Sequence, residues 1–197
     1  MKEKTVIVSG FSGSGKSNLV ECIAKKFNLK CIHTSALLRE IIENHSTELS
    51  KENNVGNKGW WESSKGKKMI EERLIQTEYD KLLDKKLLEL IEEGSIAMDS
   101  WTMGYLSNKG FKIWLSASAE TRAKRISKRN NQPLDKVLEA IKSKEEKTTE
   151  IYKKLYGFTL GENLEKFNLV IDTEGISEKQ VQKIALKELK EKYFQKD

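Results

Sequence analysis

The sequence predicts an α/β fold in three layers, with a five-stranded parallel sheet covered by helices on both faces. Short apolar strands alternate with amphipathic helices along the chain, and this alternation is typical of parallel sheets. A glycine-rich loop also joins the first strand directly to the first helix. A length of 197 residues is enough for one such domain with a sizeable core and too short for two.

The five predicted strands are short apolar runs bounded by turn or helix signals. They cover residues 5–9, 31–34, 95–98, 111–115 and 169–172. Helical segments separate the strands, so the strands are expected to run parallel.

The helices in the first half of the chain are predicted from apolar periodicity. One helix follows the first strand, and a second follows Thr34 or Ser35, either of which can cap it. The apolar stripe of this second helix leaves Arg39 on a face that can look into a cleft. A single long helix is predicted over residues 69–93, with Gly94 just past its end.

The C-terminal helices carry clear boundary signals. Pro133 suits the first turn of a helix that runs toward Tyr156 and stops at Gly157. Ser177 and Gln180 form a capping box at the start of the last helix. Residues 44–68, in contrast, are rich in Asn, Gly, Ser and Lys, which predicts a loop or a mobile flap.

Composition indicates a soluble protein with a heavily charged surface. Charged residues make up 34% and hydrophobic residues 37%, and 36 basic against 30 acidic side chains give a net charge of +6. No apolar run approaches the about 18 residues that cross a membrane, and no signal peptide precedes the first strand. The two cysteines and two histidines show no metal-ligand spacing. We therefore expect a cytoplasmic monomer with reduced thiols and with neither a membrane nor a nucleic acid as partner.

The glycine-rich loop, residues 10–17, reads Gly-x-x-x-x-Gly-Lys-Ser between a strand and a helix. Its glycines allow positive φ and close backbone approach, so successive amides can point at one anion. Lys16 would place its ammonium on the β- and γ-phosphates, and the Ser17 hydroxyl would ligate Mg²⁺. The motif predicts a nucleoside triphosphate site of the P-loop type. Its expected contacts are Gly10, Ser12, Gly13, Ser14, Gly15, Lys16, Ser17 and Asn18.

Polar residues at the ends of the next two strands extend this site. In a parallel sheet, ligands sit beyond the carboxyl ends of the strands, where Thr34 and Asp99 are delivered. A carboxylate there can hold Mg²⁺ opposite Ser17. The alternative is an ordinary strand-end turn residue. We assign Thr34 and Asp99 to substrate binding and Asp99 also to the metal.

Three arginines follow the fourth strand. Arg122, Arg125 and Arg129 are spaced by three and four residues and so share one helix face. A transferred phosphoryl group is stabilised by cations, and arginine can bind two of its oxygens at once. A solvated charged face is the alternative. We assign Arg122 to substrate binding.

Several segments resemble the nucleoside monophosphate kinases, in particular the archaeal-type cytidylate kinases. Residues 34–39 are similar to the start of their monophosphate site, residues 96–99 to their third strand, and residues 125–129 to the entry of their lid. Residues 153–157 and 169–172 follow in the same order as in that family. The resemblance covers most of the chain, and the P-loop is its most specific motif.

The resemblance implies a P-loop kinase with sheet order 2-3-1-4-5 that uses ATP and Mg²⁺. It implies a core of residues 1–43, 69–125 and 157–197, a monophosphate-binding flap at residues 44–68 and a helical lid at residues 126–156.

The resemblance also implies roles for individual cations. Arg39 would grip the acceptor phosphate, Arg125 would lie against ATP, and Arg129 would touch the phosphoryl group in flight, together with Lys16. A phosphate acceptor is largely ionised at neutral pH, with a second pKa of about 6, so no general base is required. The lid must exclude water from the reaction.

The chain departs from the cytidylate kinase pattern on the acceptor side. Ser100 and Trp101 stand where the family usually has Gly-Arg, and Lys142 and Lys144 stand where lid arginines are expected. Ser35-Ala36 replaces a glycine near the second strand. Phosphoryl transfer to CMP or dCMP is the first hypothesis.

Two other functions stay open. A kinase for a small-molecule hydroxyl would need Asp99 to orient or deprotonate that hydroxyl. A nucleotide-dependent regulator or RNA-associated ATPase would use the positive charge, although no RNA-binding module is recognisable. Trp60, Trp61 and Trp101 either stack on a base or pack against the flap and core.

Overall fold

The computed structural model describes residues 4–44 and 63–194. Five parallel strands form one sheet in the order β2-β3-β1-β4-β5, which confirms the predicted order. Every strand boundary lies within one residue of its prediction. The strands are Thr5–Gly10 (β1), Lys30–His33 (β2), Ile96–Asp99 (β3), Phe111–Ser116 (β4) and Leu169–Asp172 (β5).

The α-helices of the described residues flank this sheet, together with a 3₁₀ turn at Leu164–Lys166 and a π-helical turn at Lys190–Phe194. They are Lys16–Phe27 (α1), Thr34–Asn44 (α2), Ser64–Ile75 (α3), Glu78–Glu93 (α4), Met103–Leu106 (α5), Ala119–Asn130 (α6), Leu134–Tyr156 (α7) and Glu178–Leu189 (α8). None of these helices is long and apolar enough to cross a membrane.

The central strand β1 separates two apolar layers. Val6 and Val8 are fully buried against side chains of α1 and α8. Ile7 is buried on the opposite face, against side chains of α2 and α4. This alternation follows from the period of two in a strand, and it makes the fold the predicted three-layer α/β structure.

The prediction of one long helix over residues 69–93 is wrong. The structure has two helices there, α3 and α4, and α3 begins at Ser64, inside the segment assigned to the flap. The break falls at Gln76, whose φ of −113° and ψ of 94° are extended. It folds Arg73 back onto Asp80, at 3.0 Å from Nε to Oδ2. Seven residues of continuous helix would separate these positions by about 10 Å along the axis.

The predicted helix boundaries in the C-terminal half are confirmed. Helix α7 starts just after Pro133 and ends at Gly157, which adopts a φ of 73°. Both halves of the capping box between Ser177 and Gln180 are present at the start of α8. Local sequence signals decide these ends because they satisfy backbone groups that the helix itself cannot.

Candidate active site

The phosphate loop, residues 10–17, leaves β1 and enters α1 through residues that only glycine suits. Gly10 has a φ of 141°, and a Cβ there would overlap the carbonyl oxygen of Leu115. Gly15 has a φ of 102° and directly precedes α1, whose first turn has no side-chain cap. The amides of that turn are therefore available to an anion at the positive end of the helix.

Lys16 lies inside this site rather than in bulk solvent. Its ammonium donates a hydrogen bond to the Phe11 carbonyl oxygen over 2.8 Å and lies 5.8 Å from the centre of the Trp101 ring. Burial lowers the pKa of Lys16 to about 8, and the nearby Asp99 carboxylate opposes that shift. A polyphosphate placed here would stabilise the charged form of the ammonium.

Ser17 and Asp99 meet at the carboxyl ends of β1 and β3. The Ser17 hydroxyl donates to Asp99 Oδ2 over 2.8 Å. The Thr34 amide donates to Asp99 Oδ1 over 3.0 Å, and the Thr34 hydroxyl donates to the Asp99 carbonyl oxygen over 2.6 Å. The structure thus brings together the three polar residues predicted at this edge of the sheet. The Thr34 hydroxyl thus ties the start of α2 to the end of β3.

His33 completes the surroundings of Asp99. Its Nδ1 lies 3.1 Å from Asp99 Oδ2, and this hydrogen bond raises the pKa of His33 to about 10. Burial alone would raise the pKa of Asp99, but the hydrogen bond and charge of His33 hold that pKa below its usual value. Asp99 is therefore an ionised, acceptor-only carboxylate at neutral pH.

This donor set fits Mg²⁺. Mg²⁺ is held by one or two protein oxygens, with phosphates and water completing its octahedron. Ser17 and Asp99 supply a hydroxyl and a carboxylate oxygen side by side at the loop. No group of three or more His, Cys, Asp and Glu side chains able to hold a metal occurs within residues 4–44 and 63–194. Phosphate oxygens would have to complete this coordination.

A large cleft of about 550 Å³ opens beside the phosphate loop and the start of α1. Arg125 lies along one wall, where its guanidinium donates to the hydroxyl of Thr173 over 2.9 Å and to its carbonyl oxygen over 2.6 Å. Arg129 also lines the cleft but is exposed, with Nε donating to Asn130 Oδ1 over 2.9 Å. The remaining walls include Ile126, Ile176, Glu178, Val181 and Gln182.

Arg122 does not share this cleft. It is buried, and its Nε and Nη1 donate to the carbonyl oxygens of Ala117 and Ser12 over 3.0 and 3.1 Å. The same guanidinium forms an ion pair with Glu145 on α7. The arrangement therefore does not support the assignment of Arg122 to substrate binding. Arg122 links the phosphate loop to α7 instead.

The two lysines of α7 at the expected lid positions lie in different places. Lys144 Nζ is 3.3 Å from Ser12 Oγ on the phosphate loop and 5.4 Å from the centre of the Trp101 ring. Lys142 is exposed on the surface and lies 3.7 Å from Glu120. Lys144 therefore adds a cation to the site, and Lys142 does not.

A small crevice of about 60 Å³ is lined in part by Lys144. Thr148 on its α7 wall is buried, and its hydroxyl has no hydrogen-bond partner among the described residues. Arg39, which was predicted to bind a phosphate, is half-buried on α2, the helix that also contributes Leu38 to the crevice. The crevice is lined by Thr34, Ser35, Leu38, Arg73, Leu83, Leu87, Ser100, Trp101, Thr102, Lys144, Thr148 and Tyr152.

The sequence profile of the cytidylate kinase-like family matches residues 5–175, which contain the phosphate loop, Asp99 and all of α7. The chain belongs to the cytidylate kinase-like family. It is 31% identical over 182 residues to a cytidylate kinase from Sulfurisphaera tokodaii, with 91% of each chain covered. It is 28% identical over 170 residues to a cytidylate kinase from Ignicoccus hospitalis, covering 85% of this chain and 88% of that one.

A solved structure supports the fold independently. Shikimate kinase from Bacteroides thetaiotaomicron superposes with a TM-score of 0.56 at 14% identity and covers 95% of this chain and 96% of its own. This likeness concerns the P-loop kinase fold alone. Membership of the cytidylate kinase-like family makes the protein a nucleoside monophosphate kinase, which favours the enzyme hypothesis over a regulator or an RNA-associated ATPase.

Sequence reasoning missed parts of this cytidylate kinase-like site. His33 was assigned no role, and Arg73 was not singled out in the predicted long helix. No local sequence signal distinguishes Lys144 from Lys142, since both lie on one long helix. Trp101 is half-buried and edge-on to Phe11 at 5.8 Å, and the ammonium groups of Lys16 and Lys144 lie 5.8 and 5.4 Å from the centre of its ring. Trp60 and Trp61 lie outside the described residues.

Proposed function

We propose that this protein transfers the γ-phosphoryl group of ATP to CMP or dCMP, giving the diphosphate and ADP. The observation that carries the proposal is the similarity to a curated cytidylate kinase over 91% of both chains. The matched family region contains every residue that lines the small crevice as well as the whole phosphate loop.

On the donor side, the large cleft would take ATP. The amides of residues 10–17 would hold the β- and γ-phosphates, and Arg125 would lie against the nucleotide. Ser17 and Asp99 would hold Mg²⁺, which when bound neutralises charge on the phosphate oxygens. The buried Lys16 ammonium would move from the Phe11 carbonyl oxygen to a phosphate oxygen, a shift within one side-chain length.

Transfer would rely on cations rather than on a base. Lys16 lines the large cleft and Lys144 lines the small crevice, and their ammonium groups lie 5.8 and 5.4 Å from the centre of the Trp101 ring. The transferred phosphoryl group would pass near both. Arg129 would join them from the rim of the cleft. Fixed positive charges aimed at the transferring oxygens supply most of the catalysis in phosphoryl transfer. The acceptor phosphate is already a nucleophile at neutral pH.

On the acceptor side, the monophosphate would enter the small crevice, with its phosphate near Thr34 and Arg39. The unpartnered hydroxyl of Thr148 would receive a hydrogen bond from, or donate one to, the base. The crevice is smaller than a nucleotide as it stands, since α7 packs on α3 with Lys147 bonded to Glu71 over 3.0 Å. We therefore infer that α7, within the proposed lid at residues 126–156, moves away from α3 to admit the acceptor.

An acceptor panel tests the proposal. ADP release from Mg-ATP is followed with CMP, dCMP, UMP, AMP and GMP at equal concentrations, and kcat/KM is determined for each. The proposal predicts the highest kcat/KM for CMP or dCMP. Its acceptor assignment is refuted if a purine monophosphate is preferred, and its activity class if no monophosphate stimulates ADP release.

One observation favours a hydroxyl acceptor instead. Ser100 and Trp101 stand where the family usually has Gly-Arg, so one substrate-binding arginine is missing, and the Ser100 hydroxyl accepts from the amides of Thr102 and Met103 over 3.3 and 3.1 Å. The lowered pKa of Asp99 counts against this alternative, because such a carboxylate is a weak base at neutral pH. Under this alternative, Asp99→Asn would abolish turnover while Mg²⁺-dependent ATP binding survives.

A further inference from the structure

His33 occupies the position on β2 that is paired in register with Asp99 on β3. Its side chain is 7% exposed, and the residue ends the strand at the same edge of the sheet as the phosphate loop. The ring has two different edges. Nδ1 faces Asp99 Oδ2 at 3.1 Å, and Nε2 faces Cys31 Sγ and Glu21 Oε1, each at 3.5 Å.

Chemistry settles the direction of the inner hydrogen bond. An ionised carboxylate can only accept, so the proton in the contact with Asp99 must reside on Nδ1 of His33. The outer edge, in contrast, makes longer contacts to a thiol and to a half-exposed carboxylate. The inner contact is therefore the specific one.

Binding of a metal ion would affect the hydrogen-bond donors of Asp99 differently. Oδ2 accepts from Ser17 and His33, and Oδ1 accepts from the Thr34 amide. If the Ser17 hydroxyl turns to a metal ion, Oδ2 keeps only the imidazole as its donor. The Thr34 amide then fixes Oδ1 of Asp99, and the His33 side chain fixes Oδ2.

We propose that His33 is a positioning residue, whose Nδ1–H holds the Asp99 carboxylate in the orientation that lets it bind Mg²⁺ beside Ser17. The proposal rests on the Mg-ATP site of the proposed function but not on the identity of the acceptor. Hydrogen-bond partners of metal ligands commonly change metal affinity 10- to 100-fold when they are removed. A merely structural histidine would affect nucleotide binding with and without metal alike.

The test measures binding of a non-hydrolysable ATP analogue by calorimetry, in saturating Mg²⁺ and in EDTA. The affinity gain due to Mg²⁺ is compared in wild type, His33→Phe and His33→Asn. Phenylalanine keeps a flat ring without a donor, whereas the asparagine amide can donate from near the place of Nδ1. Cys31→Ala is the matched control, because Cys31 Sγ lies 3.5 Å from Nε2, on the edge of the ring that faces away from Asp99.

We expect His33→Phe to reduce the Mg²⁺-dependent gain in affinity for the analogue about tenfold. The affinity measured in EDTA should change little. His33→Asn and Cys31→Ala should keep the gain within about threefold of wild type. Should His33→Phe not fold, His33→Gln replaces it, since its longer amide cannot take the place of Nδ1, and the same loss is expected.

Two results would overturn the proposal alone: an unchanged gain in His33→Phe, or an equal loss with and without Mg²⁺. A wild-type affinity that does not respond to Mg²⁺ would overturn both this proposal and the Mg-ATP site. An acceptor panel without activity would leave the His33 result standing, so the two failures are distinguishable.

Discussion

At the scale of single residues, the site is a set of buried charges that hold one another in place. Lys16, Asp99 and His33 lie within one connected group, and each has a pKa displaced by burial or by its neighbours. Such displaced groups beside a cleft are typical of functional sites. Two predictions belong to this scale.

Replacing Lys16 with methionine should remove most activity and leave the fold intact. The ammonium is desolvated and donates a hydrogen bond to the Phe11 carbonyl oxygen, so methionine keeps the packing at little cost. Loss of one charge at the transferring group should lower kcat about 10²- to 10³-fold. Steady-state kinetics and a urea denaturation curve check this. Normal turnover by Lys16→Met would show that the site is misplaced.

The lysines of α7 provide a matched pair. Lys144→Met should lower kcat by about tenfold or more, because Lys144 reaches the phosphate loop and Trp101. Lys142→Met should leave kcat within about twofold of wild type, because that lysine lies on the surface beside Glu120. Equal effects of the two substitutions on kcat would contradict the assignment of Lys144.

Site residues could be predicted from the sequence where the pattern is local. The phosphate loop is recognisable from eight consecutive residues between a strand and a helix. Its expected contacts could therefore be proposed from the sequence. His33 and Lys144 reach the site only through the pairing of β2 with β3 and the packing of α7. Nothing in the neighbouring sequence encodes those distances.

At the scale of elements, a buried polar network joins α3, α4 and α7. Arg73 on α3 pairs with Asp80, and Asp84 one turn further along α4 accepts from Thr102 over 2.6 Å and from the Tyr156 hydroxyl over 2.9 Å. Removing one member of a buried ion pair costs more than the pair contributes, because a charge is left without a partner. This network holds the walls of the small crevice.

The network predicts a pH dependence of stability. Burial raises the pKa of Asp84 to about 7, so the folded chain keeps a proton that the unfolded chain releases above about pH 4. The contribution of this group is therefore fully present at low pH and is lost as the pH rises through 7. The free energy of unfolding should fall between pH 5 and pH 8.

The variant Asp84→Asn isolates this effect. Asparagine is nearly isosteric with the protonated acid and carries no charge to desolvate, so its fall in stability between pH 5 and pH 8 should be smaller. The difference should be on the order of a few kcal/mol at most. Urea unfolding at both pH values measures it, and identical pH profiles of the two proteins would contradict the assignment.

The same network explains why one element was predicted wrongly. Residues 69–93 contain no glycine or proline to break a helix, and the apolar spacing supports a continuous one. The break at Gln76 is stabilised by the return of Arg73 to Asp80, a contact that exists only in the folded chain. The helix ends at Gly157 and Ser177 were predictable, because their caps are local.

At the scale of the whole molecule, the sheet order and the position of the site followed from the alternation of strands and helices. The contact between α7 and the phosphate loop, through Arg122 with Glu145 and Lys144 with Ser12, was not predictable. It joins segments more than a hundred residues apart, so nucleotide binding and the packing of α7 should be energetically linked.

Ligand binding should therefore stabilise the entire fold. A non-hydrolysable Mg-ATP analogue at about 100 times its Kd should add about 2.7 kcal/mol to the free energy of unfolding. For a chain of this size that corresponds to a rise in Tm of roughly 5–11 °C. Differential scanning calorimetry measures the rise. At the same analogue concentration, Lys16→Met should show a much smaller rise in Tm. An equal rise would contradict the role of the ammonium in binding.

Phosphoryl transfer to CMP is tested most directly by following the phosphoryl group itself. ATP labelled at the γ-phosphate is incubated with the protein, Mg²⁺ and CMP, and the products are separated by chromatography. Transfer to CMP predicts label in CDP, in amounts equal to the ADP formed, and little label in inorganic phosphate. Label found only in inorganic phosphate, or retained in ATP whichever monophosphate is added, would contradict it.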